Sequence, residues 1–126
     1  PTVDFYKNLG YDFYQYEDEE ELRGLTPGGF NGGDNSLNVK DFNDLELQAT
    51  RDIIACYLRP IGRINTSSTS YGLKHLIERA LHIETQGVIN YVNNGSVILA
   101  MYDAGFRIKR LKDGRQIATL TFPGRV

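Results

Sequence analysis

The chain has 126 residues, 40% of them apolar and 24% charged, with a formal net charge of −2. A chain of that size and make-up can bury roughly two-thirds of its unfolded surface and fold without disulfides or metals. Its single cysteine, Cys56, excludes a disulfide framework and a multi-cysteine zinc site, and its longest apolar runs fall far short of the ~20 residues that span a bilayer.

Residues 1–25 form an acidic aromatic N-terminal arm. They hold six of the fourteen aromatics (Phe5, Tyr6, Tyr11, Phe13, Tyr14, Tyr16), followed by the run Glu17-Asp18-Glu19-Glu20-Glu21. A solvated linker lacks large rings, so this composition predicts a segment that docks its aromatics on a surface. That surface is either its own domain or a basic partner to which the carboxylates present phosphate-like charge. The following stretch, L-R-G-L-T-P-G-G-F-N-G-G-D-N-S, reads as a flexible glycine-rich linker over 26–38. Neither a preceding strand nor a following GK[ST] supports a phosphate-cradling loop there.

The remainder, 39–126, reads as a helical domain. Helix A is expected from Asp41, which can cap it, to just before Pro60, with Phe42, Leu45, Ala49, Ile53 and Cys56 on one buried stripe. On that stripe Cys56 is a small apolar group and not a nucleophile. Helix B is expected over 71–84 behind a Ser70 cap, with Leu73, Leu76, Ile77, Ala80 and Leu81 inward and Lys74, His75, Glu78, Arg79 and His82 outward. His75 and His82 lie two turns and about 10 Å apart, too far to share a metal ion. The segment G-V-I-N-Y-V reads as a short strand. Helix C then runs over about 95–104 behind an Asn93 or Asn94 cap, and Gly105 suits the left-handed position after its end. Residues 106–111 and 115–122 read as a hairpin around Lys112-Asp113-Gly114, with Phe106, Ile108, Ala118 and Leu120 on one face.

Charge is divided unevenly. Residues 1–50 carry three bases against eleven acids, a net of −8, whereas residues 51–126 carry eleven bases against five acids, a net of +6. Such asymmetry marks either an acidic segment folded onto its own basic body or faces for charged partners. The expected fold is therefore α+β, a three-helix body with a C-terminal β-hairpin. That order of elements is winged-helix-like. In this reading Arg107, Lys109, Arg110, Lys112 and Arg115 touch the phosphate backbone, and Asn93, Asn94 and Ser96 at the start of helix C face base edges. Two features count against base readout: helix C carries no Arg or Lys, and the link between helices B and C is long for a helix-turn-helix. Basic edge strands also serve simply to prevent aggregation.

The second class is an interaction protein. Tyr11, Phe13, Tyr14 and Tyr16 would anchor a contact whose charge comes from Glu17, Asp18, Glu19, Glu20 and Glu21, aimed at the nucleic-acid channel of a host protein complex. An enzyme is not expected. The T-S-S-T-S run before His75 lacks the orienting carboxylate and oxyanion donors that a serine nucleophile requires, and hydroxyl runs before helices serve as caps.

The strings Ser70-Tyr71-Gly72-Leu73-Lys74-His75, Tyr91-Val92-Asn93-Asn94-Gly95 and Ala104-Gly105-Phe106 resemble small uncharacterised proteins carried by bacteriophages and other mobile elements of bacteria. The likeness covers about residues 40–110 and leaves out the arm and the linker. It implies an accessory protein acting inside a bacterial host, either on nucleic acid or against a host defence complex in the manner of an anti-CRISPR inhibitor. In that setting Gly72 and Gly95 would permit close packing near helix starts. No cofactor, metal or membrane partner is expected. A cytoplasmic location, with Pro1 following a removed initiator Met, is the default, since no charged-then-apolar leader opens the sequence.

Overall fold

The computed structural model describes residues 10–57, 68–110 and 118–121. Three α-helices stand in this order: α1 (Asp44–Tyr57), α2 (Ser70–Glu84) and α3 (Asn94–Asp103). Strands β1 (Leu25–Thr26) and β2 (Gly29–Phe30) make a small antiparallel pair near the N-terminus. Strands β3 (Ser68–Thr69), β4 (Arg107–Arg110) and β5 (Ala118–Thr121) form a second antiparallel sheet in the order β3-β5-β4. The architecture is mixed α+β.

Helix α3 lies at the centre because its sequence is apolar on every side. All of residues 94–101 are buried, which an amphipathic surface helix never achieves. On one side Val97, Ala100 and Met101 pack with Ile53 and Ile54 of α1 and Ile77 and Leu81 of α2. On the other, Ile98 and Leu99 pack with Phe13, Leu22, Leu25 and Phe30. A second core layer therefore covers α3, and the N-terminal residues supply it.

The start of α3 is fixed by a close approach. The Gly95 amide donates to the Pro27 carbonyl at 2.7 Å, and a Cβ on Gly95 would fall 1.8 Å from the Thr26 carbonyl oxygen. Only glycine lets the β1–β2 turn sit there. The other end closes with Gly105 at φ 101° and a bond from the Phe106 amide to the Met101 carbonyl at 3.0 Å. This left-handed closure drops Phe106 into the core and launches β4.

Several expectations need correction. The presumed linker, 26–38, carries the β1–β2 pair and sends Phe30 and Leu37 into the core at 4% and 2% exposure. Its glycines serve tight turns between apolar anchors, so glycine content does not mean freedom here. Helix α1 starts three residues later than expected, because Asn43 is the cap: its Oδ1 accepts the Glu46 amide at 2.8 Å, and Asp41 sits in a preceding 3-10 turn. Cys56 is exposed.

The expected strand over 87–92 is absent. Its backbone amides find side chains instead of a neighbouring strand: Ile89 donates to Thr85 Oγ1 and Val92 to Glu78 Oε2, both at 2.9 Å. A strand does occur at Ser68–Thr69, where a polar connection was expected, because Leu120 and Thr119 of β5 offer it a register. The two hairpin strands pair and keep Ile108 and Leu120 on one face as expected, but the register is shifted by two. Ile108 lies opposite Leu120 and Arg110 opposite Ala118, where a loop at 112–114 would set Ile108 opposite Ala118, and that loop lies outside the described residues. On α2 the inward and outward positions are partly exchanged, since Lys74 is buried and Leu76 is 49% exposed. Gly72 is exposed too, so close packing at a helix start holds for Gly95 alone.

Candidate functional site

From Gly10 onward the aromatic-acidic segment packs on the helical body, while Phe5 and Tyr6 lie outside the described residues. Tyr11 is held through its backbone: its amide donates to Gln48 Oε1 at 2.9 Å and its carbonyl accepts from Gln48 Nε2 at 2.7 Å. Its ring lies 5.0 Å beneath the Arg51 guanidinium. Phe13 is buried in the second core layer. Tyr16 stacks edge-on against Tyr102 at 5.4 Å, and its hydroxyl donates to Asp103 Oδ1. Asp103 in turn accepts from Arg51 Nε at 2.6 Å, a pair with both side chains mostly buried. Of the four proposed partner anchors, only Tyr14 is exposed, at 52%. Phe13 cannot anchor a partner while it fills its own core, and Tyr11 and Tyr16 are half-covered by the same docking.

The carboxylates fare differently. Glu17 is spent on the fold, since its Oε2 accepts the Val39 amide at 2.9 Å. Glu19 Oε1 accepts the Tyr102 hydroxyl at 2.9 Å, and the Glu21 carboxylate adds negative charge near it. Burial, then these two carboxylates, push the Tyr102 phenol well above its ordinary value. Burial and the Asp103 bond do the same for Tyr16. Asp18, Glu19, Glu20 and Glu21 are all exposed. Glu20 and Glu21 line a cleft of about 320 Å³ with Arg23, Asp34 and Ile108, so the acidic turn borders strand β4. Arg23 binds Asp34 at 3.0 Å there and shapes the loop beside it.

The expected nucleic-acid residues divide into three groups. Arg107 is exposed on β4, an edge strand of the sheet. Lys109 and Arg110 belong to the same strand, opposite Thr119 and Ala118. Lys112 and Arg115 lie outside the described residues. Asn93, Asn94 and Ser96 require correction: Asn94 and Ser96 are buried, at 8% and 0% exposure, and Asn93 and Ser96 are engaged by Glu46. Helix α3 is walled in by two core layers, so its N-terminus has no side chains free to read base edges.

The constellation around Glu46 was not visible beforehand. The carboxylate is 8% exposed and sits over the start of α3. Its Oε2 accepts from the Asn93 amide at 3.2 Å and from the Ser96 hydroxyl, while Oε1 takes a single long contact of 3.3 Å from Asn93 Nδ2. Glu46 belongs to the lining of a second cleft, about 350 Å³, between the start of α1 and the connection from α2 to α3. Tyr91 stands at its edge, 60% exposed, with the buried Lys74 ammonium 4.4 Å from its ring centroid. Lys74 also binds Glu78 at 2.8 Å. Burial alone would raise the Glu78 pKa, but the Lys74 hydrogen bond and the Val92 amide outweigh it and hold the carboxyl below its ordinary range. Residues 46 and 93 are 47 positions apart, and no local pattern links them.

Among the described residues, no group of three or more His, Cys, Asp or Glu side chains is placed to hold a metal ion, and no helix is long and apolar enough to cross a membrane. No protein-family model matches the sequence, and comparisons with curated proteins and with solved structures find no similar protein.

Proposed function

We propose that this chain is a non-enzymatic interaction protein that presents a fixed acidic face to a basic, nucleic-acid-binding partner. One observation carries the reading: residues 17–21 are pinned on both flanks by the buried side chains of Phe13 and Leu22. The bonds from the Val39 amide to Glu17 and from the Tyr102 hydroxyl to Glu19 hold the turn between them. Charge on a loose tail loses chain entropy on binding, and charge held in place beforehand does not. Clustered carboxylates on a surface set up a negative potential that speeds encounter with a basic channel. In the bacterial-host setting that the resemblance implies, such a partner would be a host nuclease or defence complex, which the chain would inhibit.

The test uses charge reversal at exposed positions and leaves Glu17 and Glu19, whose bonds hold the turn, in place. Capture of nucleic-acid-binding proteins from bacterial lysate should be lost in the Asp18→Lys, Glu20→Lys, Glu21→Lys variant and reversed by added duplex DNA. Capture that survives the triple reversal sinks the reading.

A second reading keeps the basic edge strand as a nucleic-acid contact, favoured by the exposure of Arg107 on β4. It no longer includes a winged-helix docking mode, since α3 is enclosed. Retardation of random duplex DNA or RNA at low salt, falling steeply as salt rises and abolished by Arg107→Glu, Lys109→Glu, Arg110→Glu, would establish it in place of the first.

A further inference from the structure

We propose that the cleft between Glu46 and Tyr91 receives the guanidinium group of an arginine side chain. The inference deepens the reading above and rests on it, because it names a side chain that a basic partner would insert. Three features of the cleft converge on that chemistry. The first is charge. Among the described residues Glu46 Oε1 makes one long contact, and it retains acceptor capacity, since a carboxylate oxygen offers two lone pairs. Asp44 follows the lining residue Asn43 in sequence and is exposed, and among the described residues no Lys or Arg lines the cleft. An anion is therefore repelled and a cation attracted.

The second feature is shape. Tyr91 offers the flat outer face of a ring whose other face rests on buried Lys74, so the ring is held in place and its platform does not have to be ordered by the ligand. The Lys74 charge is matched by Glu78, leaving the outer face available to a second cation. A planar guanidinium both stacks on an aromatic ring and forks onto a carboxylate, whereas an ammonium does neither as well. The third feature is the wall. Leu45, Val88 and Ile89 supply apolar surface for the methylene stem, and Val88 is 53% exposed with nothing over it among the described residues. A volume of about 350 Å³ admits one long side chain and little more.

The experiment titrates the whole protein with N-acetyl-arginine amide, N-acetyl-lysine amide and guanosine, following the Tyr91 ring and the Val88 and Ile89 methyl resonances by NMR. Blocked arginine should shift them saturably with a dissociation constant of roughly a millimolar or somewhat below. Blocked lysine should bind roughly tenfold more weakly. Tyr91→Ala, at a position 60% exposed, should remove the shifts at Val88 and Ile89 while the remaining methyl resonances stay in place. Glu46→Gln should weaken binding by about tenfold if the variant folds. The Asp18→Lys, Glu20→Lys, Glu21→Lys variant should bind blocked arginine as the parent does, which separates the cleft from the acidic face. Four results would overturn the proposal: no saturable shift, equal affinity for lysine, guanosine moving these resonances in arginine's place, or loss of arginine binding in the triple variant.

Discussion

The acidic N-terminal layer and the basic C-terminal sheet are held by opposite means. Between residues 10 and 42 the only regular structure is the β1–β2 pair and three 3-10 turns, and position depends on side chains: Phe13, Leu22 and Phe30 in the core, Gln48 clamping Tyr11, Asp103 and Tyr102 receiving the arm. Strand β4 is placed by its backbone, through four paired positions with β5. Charge carried on a ladder survives most side-chain substitutions. Charge carried on side-chain anchors does not, so the acidic face is the more fragile of the two and the more precisely aimed.

That contrast can be broken most severely at Phe13. Phe13→Ala should cost about 3–5 kcal/mol in chemical denaturation and speed amide exchange over residues 10–25, with β4 and β5 little affected. Next comes Gly95→Ala, which forces the Thr26 and Pro27 carbonyls away from α3 and should cost about 2–3 kcal/mol by the same measurement. An unchanged midpoint would mean that the β1–β2 turn does not rest on the helix.

A pH series sharpens the comparison. Tyr11, Tyr16 and Tyr102 all have folded pKa values raised above 10.0, the first through burial and then the Asp52 charge. Their protonated forms are favoured by folding, so their contribution is complete below pH 10 and fades as pH rises through the folded values. Alkaline unfolding should begin near pH 10 and expose the N-terminal layer first, and Tyr16→Phe should flatten the dependence. At the acid end Glu78 works in reverse, its depressed pKa giving stability that is present above about 4.5 and lost as pH falls through the folded value. The smallest effect belongs to the sheet: Arg107→Glu should change stability by no more than about 0.5 kcal/mol, since it is exposed on an edge strand.

The helices were legible because a 3.6-residue pattern is local. Residues 44–57, 70–84 and 94–103 all fall within a few positions of where periodicity and caps place them. The apolar run Val97-Ile98-Leu99-Ala100-Met101 carried more information than the single stripe assigned to it: a helix apolar on all sides needs a second layer, and Phe13, Phe30 and Leu37 were the residues available to make one. Glycine content concealed that layer, because it signals turns and linkers alike. The interaction sites were less readable still. Asp103 meets Tyr16 across 87 positions and Glu46 meets Ser96 across 50, and polar residues have no periodicity that reveals such partners.

The two-sided burial of α3 also bears on how the chain comes off the ribosome. Phe13, Leu22 and Phe30 are made first, yet the surface they cover, Ile98 and Leu99, emerges some seventy residues later, a delay on the order of ten seconds at ordinary synthesis rates. For that interval a set of aromatic and leucine side chains waits uncovered beside a run of five carboxylates, and those charges repel a second nascent copy during the time the rings are most able to stick to one.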